Sequence, residues 1–261
     1  MWSAGTIVAV LLSGAVGLSL GLVGGGGSVI TLPILVYLAG LPVEQAVPLS
    51  LAIVGVTAAV GLGVQMRQGQ VHLNAAAVFG LAGMLGAVGG AQLTPLVPGP
   101  VLMMLFAAVM IAVGIRMVRQ NDQADEPERA ECHFWKCALA GLAVGVLTGF
   151  LGVGGGFLIV PALLRFAKLP MRQAVGTSLL IIAANSAAGF LGHLGEVQGV
   201  LGLMAAFIAV AVIGLFAGMA LARRMRPSAL KRAFGGLSLA VAAYLIVMNA
   251  RPLVESMVGN S

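Results

Sequence analysis

Charged residues are scarce in this chain. Asp, Glu, Lys and Arg make up 8% of its 261 residues, whereas hydrophobic residues make up 60%. A soluble domain carries about a quarter of its residues as charged side chains, so this sequence cannot cover a fold of its size with polar surface. The composition therefore excludes a soluble enzyme and predicts an α-helical protein whose solvent is the lipid bilayer.

Aromatic residues and cysteines are also few. Aromatics at 5% count against an outer-membrane β-barrel, which needs alternating strands and aromatic girdles. The two cysteines, Cys132 and Cys137, are too few for a disulfide framework, and we expect reduced thiols because their segment is predicted to be cytoplasmic. The net charge of +6 comes from short basic clusters between apolar runs, which indicate membrane topology rather than nucleic-acid binding.

Motifs for catalysis and for cofactors are missing as well. The apolar segments contain no carboxylate, and the chain has no HExxH motif and no Walker lysine, so we expect no enzymatic activity. Its glycine runs lack the strand and the acidic ribose partner of a dinucleotide site. The cluster around Cys132, His133 and Cys137 lacks a second ligand pair. We therefore expect no metal and no cofactor.

What the sequence has in abundance is internal repetition. Residues 21–51 align without a gap on residues 149–179 at a shift of 128. The matched pairs include Gly24 with Gly152, Gly26 with Gly154, Pro33 with Pro161 and Ser50 with Ser178. We divide the chain into a first repeat, 1–120, a polar cytoplasmic linker, 121–133, and a second repeat, 134–261.

Each repeat contains five apolar segments, and the second segment is short. In the first repeat the segments are 4–23, 29–40, 46–65, 72–92 and 100–118; in the second they are 134–151, 157–167, 174–192, 197–222 and 229–248. Most are long enough for a hydrocarbon core of about 30 Å. The short segments, at about 11 residues, reach only about 17 Å.

The basic residues predict that the two repeats have opposite orientations. The loop after the short segment has no base in the first repeat but holds Arg165, Lys168 and Arg172 in the second, and the bias reverses again in the next two loops. Because bases favour the cytoplasm, equivalent loops lie on opposite faces. We predict an all-α polytopic membrane protein with two inverted-topology repeats, each a glycine-broken re-entrant hairpin plus three transmembrane helices, with both termini outside.

A glycine tract precedes each short segment and is a candidate anion site. The first glycine tract is residues 24–28 and the second is residues 152–156. A helix that begins at such a break presents free N–H groups and a partial positive charge, and glycine lets an anion approach them. Close helix packing is the alternative reading. The candidate residues are Gly24, Gly25, Gly26, Gly27, Ser28, Gly152, Gly154, Gly155 and Gly156.

Hydroxyl and amide side chains in the apolar segments complete the predicted site. We expect no buried cation, so neutral dipoles would hold the anion. The candidates are Ser50, Thr57, Thr177, Ser178 and Asn185. For each hydroxyl, a bond to a carbonyl of its own helix is the alternative, whereas the Asn185 amide needs a partner away from water. Thr57 and Asn185 are equivalent at the shift of 128.

The paired motifs resemble a known family. Each glycine tract is followed by a proline, then Leu-Pro, then Gln-Ala-Val-x-x-Ser-Leu, and this pattern resembles the sulfite exporter family TauE/SafE over essentially the whole chain. The first motif departs from the pattern with the extra Gly25, with Ser28 for glycine, and with Pro48-Leu49 where the second has Gly-Thr. The resemblance implies a multi-pass permease of the inner (plasma) membrane for sulfite, thiosulfate, sulfoacetate and related organosulfonates.

Our leading hypothesis is a secondary transporter that exports such anions by alternating access around a midplane site. The alternatives are a non-transporting membrane scaffold subunit and a transporter of another small anion. The expected partners are the lipid bilayer and a small anionic substrate, without nucleic acid; a homo-oligomer is left open.

Overall fold

The computed structural model describes residues 4–92, 99–119, 134–151, 156–191 and 201–258, and within them the chain forms ten α-helices and one π-helical turn, with no strand. The helices of the first repeat are α1 (Ala4–Val23), α2 (Gly27–Pro33), the π-helical turn (Ile34–Leu38), α3 (Val43–Arg67), α4 (Leu73–Ala91) and α5 (Gly99–Arg119). Those of the second are α6 (Phe134–Leu151), α7 (Gly156–Phe166), α8 (Met171–Leu191), α9 (Leu201–Arg224) and α10 (Pro227–Val258).

The helices match the predicted apolar segments. In the described part of the chain, six helices are long and apolar enough to cross a membrane: α1, α3, α4, α8, α9 and α10. Shorter apolar helical stretches cover Phe134–Gly149 and Gly156–Phe166. The prediction of an all-helical, multi-span membrane protein is therefore confirmed.

The first helix of each repeat packs against the fourth helix of the other repeat. These pairs are α1 with α9 and α6 with α4. A methyl group added at Gly17 would collide with the carbonyl of Ala211, and one added at Gly145 would collide with the carbonyl of Gly83. Because a shift of 128 turns the first contact into the second, the two helix pairs use the same interface.

Both of these pairs are parallel and depend on small residues. In the pair α1 and α9, Gly14 lies against Val210 and Gly21 lies against Leu215, so residue numbers increase in the same direction along both helices. Small residues let helix backbones approach closely in a lipid solvent. An added methyl would also meet the backbone of the partner helix at Gly86, Gly214 and Gly218.

The third helices of the two repeats, α3 and α8, form an antiparallel pair. Gly189 of α8 packs on Leu51 of α3, Ser186 packs on Gly55, and Leu179 packs on Gly61. The fifth helices, α5 and α10, also pack on each other. Gly114 lies against Leu239 and Gly235, and Gly235 lies against Val118, so these two helices also run in opposite directions.

The chain reverses direction at the first glycine tract. Gly24 and Gly26 have φ angles of +66° and +86°, which side chains other than glycine rarely adopt. The π-helical turn contacts α1, and Gly27 packs on Leu20. A straight continuation would carry Ile34 about 16 Å beyond Val23, so α2 folds back along α1.

The equivalent prolines have different local effects. Pro33 is the last residue of α2, and the chain continues as the π-helical turn, in which the Ala39 N–H donates to the Ile34 carbonyl at 3.0 Å. Pro161 lies inside α7, which remains α-helical. A proline cannot supply the backbone N–H of a regular helix, and only the first repeat responds with a wider turn.

Candidate functional site

The first glycine tract is bonded to α8 through Ser178. The Ser178 hydroxyl lies 2.6 Å from the Gly24 carbonyl and 2.8 Å from the Val175 carbonyl, and it can donate its one proton to either. A methyl group added at Gly24 would lie 2.7 Å from the Ser178 oxygen. Ser178 therefore fastens the glycine tract to its neighbour helix, with its donor already engaged.

The two glycine tracts touch where α7 begins. A methyl group added at Gly25 would lie 2.6 Å from the carbonyl oxygen of Gly156, the first residue of α7. The next residue, Phe157, is 1% exposed and packs edge-to-face on Phe106 of α5. Three further candidates of the second tract lie outside the described residues: Gly152, Gly154 and Gly155.

Gly26 and Gly27 form the start of α2. Gly26 is the N-cap and offers no side-chain bond to the first turn. The Gly27 carbonyl accepts a hydrogen bond from the Thr31 hydroxyl at 2.6 Å. The side chain of Ser28 lies outside the described part of the structure.

Thr177 is bonded to the turn between α3 and α4. Its hydroxyl oxygen accepts the backbone N–H of His72 at 3.0 Å, and the side chain is fully buried. The His72 ring caps α4, because its Nδ1 accepts the N–H of Ala75 at 3.1 Å. Thr177 and Ser178 are therefore adjacent in sequence but hold different elements against α8.

Thr57 and Asn185 carry buried polar atoms without a partner. The Thr57 hydroxyl oxygen and the Asn185 Oδ1 are both inaccessible to solvent and make no hydrogen bond with any described residue. Leaving such an atom unpaired costs about 1–3 kcal/mol, and folded proteins contain few of them. Both residues lie where α3 crosses α8, since Gly55 packs on Ser186 next to them.

The predicted polar residues form one row along each of these two helices. Ser50 and Thr57 of α3 are both buried and seven positions apart, and Ser178 and Asn185 of α8 have the same spacing. Seven residues make about two helical turns, so the members of each pair share a face. The α8 row thus connects the first glycine tract, at Ser178, to the crossing point.

A large cavity lined by basic side chains opens next to α7. We call it the basic chamber; it has a volume of about 930 Å³ between α5, α7 and the first turns of α8 and α10. Its basic residues are Arg116, Arg165, Lys168, Arg172 and Lys231. Lys231 is only 7% exposed, so the expectation that no cation is buried is wrong. The sequence pattern missed this residue because Lys231 lies at the polar start of α10, where bases are ordinarily solvated.

A second, small cavity lies between the basic chamber and the first glycine tract. Its volume is about 50 Å³, and its lining includes Gly21, Gln65, Gln70, Arg172 and Val175. Gln70 and Arg172 line the basic chamber as well. Val175 also contacts Gly24, so the small cavity adjoins both the basic chamber and the first glycine tract.

Comparison with known proteins decides the family. Residues 9–245 match the model of the family described as sulfite exporter TauE/SafE. A probable membrane transporter protein of Xylella fastidiosa strain Temecula1 is 34% identical over 246 residues, which cover 92% of this chain and 94% of the relative. The chain belongs to the TauE/SafE family.

Two more distant relatives of this TauE/SafE protein carry the same description. The probable membrane transporter protein YdhB of Bacillus subtilis is 26% identical over 72% of this chain and 78% of its own length. The probable membrane transporter protein MJ0441 of Methanocaldococcus jannaschii is 28% identical over 69% of this chain and 68% of its own. No solved structure matches the chain significantly. Together with the six apolar helices, these likenesses identify a multi-pass transporter of the plasma membrane.

The cysteines of this TauE/SafE protein differ from the expectation. Cys137, in the first turn of α6, is disulfide-bonded, whereas the sequence suggested reduced thiols; Cys132, the one other cysteine, lies outside the described residues. The expectation followed from the compartment alone, whereas a disulfide depends on how near two sulfurs lie. Within the described residues, no three His, Cys, Asp or Glu side chains are grouped as metal ligands.

One stretch of α1 matches the GxSxG pattern of hydrolases, and its setting is structural. The stretch runs from Gly17 to Gly21 around Ser19. Ser19 lies within a continuous helix and donates its hydroxyl proton to the Val16 carbonyl at 2.7 Å. A nucleophile elbow instead exposes its serine at a sharp strand-to-helix turn. The pattern arises here because both glycines pack on α9.

Proposed function

We propose that this TauE/SafE protein is a secondary transporter that exports small sulfur-containing anions such as sulfite, thiosulfate or organosulfonates. Its two repeats, 1–120 and 134–261 on either side of the linker 121–133, alternate access to a site near the middle of the membrane. The partners are the bilayer and the small anion.

The helix contacts support an inverted-topology arrangement of the repeats. Helices related by an axis in the membrane plane must be antiparallel when they pair with each other, and both α3 with α8 and α5 with α10 meet this condition. The first helix of each repeat, α1 or α6, packs on the fourth helix of the other repeat, and the two packings use equivalent residues. With both termini outside, the turn between α3 and α4 and the basic chamber face the cytoplasm.

The observation that carries the site is the pair of unpartnered buried atoms on Thr57 and Asn185. The two positions are equivalent in the repeats and lie at the crossing of α3 and α8, so the inverted axis passes close to both. A site on such an axis is equally near to both faces, which is what alternating access requires. The paired glycine tracts, with Gly25 against Gly156, lie about 10 Å along α8 from this pair, and their free backbone N–H groups would bind the anion on its way to it.

The two orphan atoms complement a singly protonated oxyanion. The Thr57 hydroxyl can donate a hydrogen bond to an anion oxygen, and Asn185 Oδ1 can accept one from the proton of the anion. A low-dielectric site without a carboxylate or a cation favours one negative charge over two. Hydrogen sulfite meets both conditions, and the proton would then cross the membrane on the substrate.

Conservative substitutions at the two orphan atoms test this proposal. Thr57→Val and Asn185→Leu remove the unpaired polar atoms, so we expect the melting temperature to stay the same or rise. Sulfite efflux from proteoliposomes should fall at least about tenfold, because one charge-assisted hydrogen bond contributes about 1.5–3 kcal/mol. Thr148→Val is the control, since the Thr148 hydroxyl bonds to the Gly145 carbonyl at 3.0 Å in its own helix.

Three results would overturn the proposal. Unchanged efflux in both site variants would show that the orphan atoms do not contact the substrate. Absence of flux of every sulfur oxyanion in the wild-type protein would instead favour the scaffold alternative, and flux of other anions alone would favour a different substrate.

A further inference from the structure

The basic chamber collects positive charge in a space much larger than a small oxyanion. Five basic side chains line about 930 Å³, and its described lining contains no acidic residue. Ligand-binding cavities span about 300–1,000 Å³. The ordinary enrichment of basic residues in cytoplasmic loops does not require that they surround one cavity or that any of them is buried. Lys231 is nevertheless buried in the chamber wall, with only 7% of its surface exposed.

Lys168 occupies the chamber wall in a strained backbone conformation. Its φ of +50° is the one positive value for a residue other than glycine in the described chain. The equivalent position in the first repeat is Gly40, with φ +68°. Glycine adopts this conformation freely, whereas a residue with a Cβ pays for it. The conformation ends α7, where the Leu169 N–H donates to the Leu163 carbonyl at 3.4 Å, and it places a base in the chamber.

In the opposite repeat, the positions equivalent to the bases of the chamber carry no positive charge. At the shift of 128, its five bases correspond to residues without positive charge: Arg116 to Tyr244, Arg165 to Tyr37, Lys168 to Gly40, Arg172 to Glu44 and Lys231 to Met103. Two halves with the same helix arrangement therefore differ in charge at equivalent positions. The opposite face of the membrane would offer an anion no comparable attraction.

From these three observations we propose that the basic chamber is the capture site for the substrate anion at the cytoplasmic face, and that it gives the transporter a lower KM on this face than on the outer face. This inference rests on the proposed function and adds the loading site to it. Clustered charge in a cavity raises the local concentration of counter-ions by about 10- to 1,000-fold. Arg172 and Gln70, which line both cavities, mark the route from the chamber toward the glycine tract.

Sided membrane vesicles test the capture site. In inside-out vesicles the cytoplasmic face is exposed, and we expect the KM for sulfite there to be about tenfold lower than in right-side-out vesicles. The double variant Arg165→Gln with Lys168→Gly should raise the inside-out KM about tenfold and change the right-side-out KM much less. Higher salt should reduce the difference between wild type and variant, because salt screens exposed charges.

The matched control removes two bases from the same face without altering the chamber. Arg67→Gln with Arg119→Gln changes the net charge equally, and neither residue lines the described cavity wall; its KM should equal that of the wild type. Lys168→Gly should also keep or raise the melting temperature, since glycine accepts the local φ without strain. A KM increase of equal size in both double variants would overturn the proposal, because it would reflect the general charge of the face.

A binding measurement keeps the chamber separate from transport. If the wild type shows no flux, the proposed function fails, but calorimetric titration of sulfite into the purified protein still tests the chamber. Salt-sensitive binding that only the Arg165/Lys168 variant loses would support the capture site. Absence of sulfite binding would overturn it. Phospholipid phosphates share the same oxyanion chemistry, so the titration is repeated in nanodiscs with and without phosphatidylglycerol. Equal sulfite binding in both supports a free anion, and sulfite binding abolished by the anionic lipid assigns the bases to lipid and overturns the proposal.

Discussion

At the scale of single residues, glycine serves two separate purposes in this transporter. At positions such as Gly17 and Gly145 the backbone is ordinary helix, and the absent side chain lets a neighbouring helix approach. At Gly24 and Gly26 the backbone itself is unusual, with positive φ angles. The sequence distinguishes the two only by clustering, because a tract of consecutive glycines breaks a helix whereas spaced glycines pack on one.

Gly24→Ala, compared with Gly40→Ala, separates backbone strain from crowding. Both glycines have nearly the same φ, +66° and +68°, and an added methyl at Gly40 has nothing within 4 Å. Gly40→Ala should cost about 1–2 kcal/mol of stability, from strain alone. Gly24→Ala should cost a further 1–3 kcal/mol or so through its collision with Ser178 and Val175.

Thermal unfolding in detergent measures both costs. One kcal/mol corresponds to about 2–4 °C for a chain of this size, so the two variants should differ in melting temperature by several degrees. Sulfite efflux should persist in Gly40→Ala and be lost in Gly24→Ala. Equal melting temperatures of the two variants would contradict the close packing of Gly24 against α8.

At the scale of helices, the sequence predicts existence and length well. The predicted segments 4–23 and 134–151 coincide with α1 and α6, because an apolar run of membrane length has one stable conformation in lipid. The segment 29–40 is helical too, but as α2 followed by a π-helical turn. The missing N–H of Pro33 was visible in the sequence, whereas the wider turn that follows depends on packing against α1.

Helix partners could not be predicted in the same way. A membrane helix is apolar toward lipid as well as toward protein, so its sequence does not mark the buried face. The exchange of α1 and α6 between repeats, the crossing beside Thr57 and the convergence of five bases on one cavity are all non-local. The shift of 128 identified Thr57 and Asn185 as equivalent, but only the packing of α3 on α8 places both residues at the crossing of these helices.

Cysteine cross-linking tests the antiparallel pair α3 and α8. A Cβ added at Gly55 lies 2.9 Å from the Ser186 Cβ, and disulfides join Cβ atoms about 3.5–4.5 Å apart. In a background without Cys132 and Cys137, Gly55→Cys with Ser186→Cys should form a disulfide under mild oxidation after a small shift. Gly63→Cys with Ser186→Cys should not, because an added Cβ at Gly63 has no neighbour within 4 Å. Equal cross-linking of the two pairs would contradict the arrangement.

At the scale of the whole molecule, the proposed orientation rests on the distribution of bases. The proposed topology places the loop between the π-helical turn and α3 outside the cell, and it places the loop between α3 and α4 inside. Gly40 and Gly69 lie in these two turns, both exposed, with φ of +68° and +67° and no neighbour for an added Cβ. They therefore form a matched pair of probe positions on either side of α3, which at 25 residues is about 37 Å long.

Labelling of introduced cysteines in intact cells checks this orientation. In the cysteine-free background, a membrane-impermeant maleimide should label Gly40→Cys in intact cells and should label Gly69→Cys only after the cells are opened. Because the two sites have the same backbone conformation, a difference reflects sidedness rather than folding. The reverse pattern would invert the molecule and move the basic chamber to the outer face.

The exchange of helices between repeats changes which parts of the molecule can move as units. The first helix of each repeat is locked by backbone contacts to the fourth helix of the other, so α1, α2 and α3 associate with α9, while α6, α7 and α8 associate with α4. A rocking motion would then divide the protein between these composite bodies instead of at the linker 121–133. Its hinges would be the chain crossings after α3 and after α8, and cutting the linker would leave the mechanism intact.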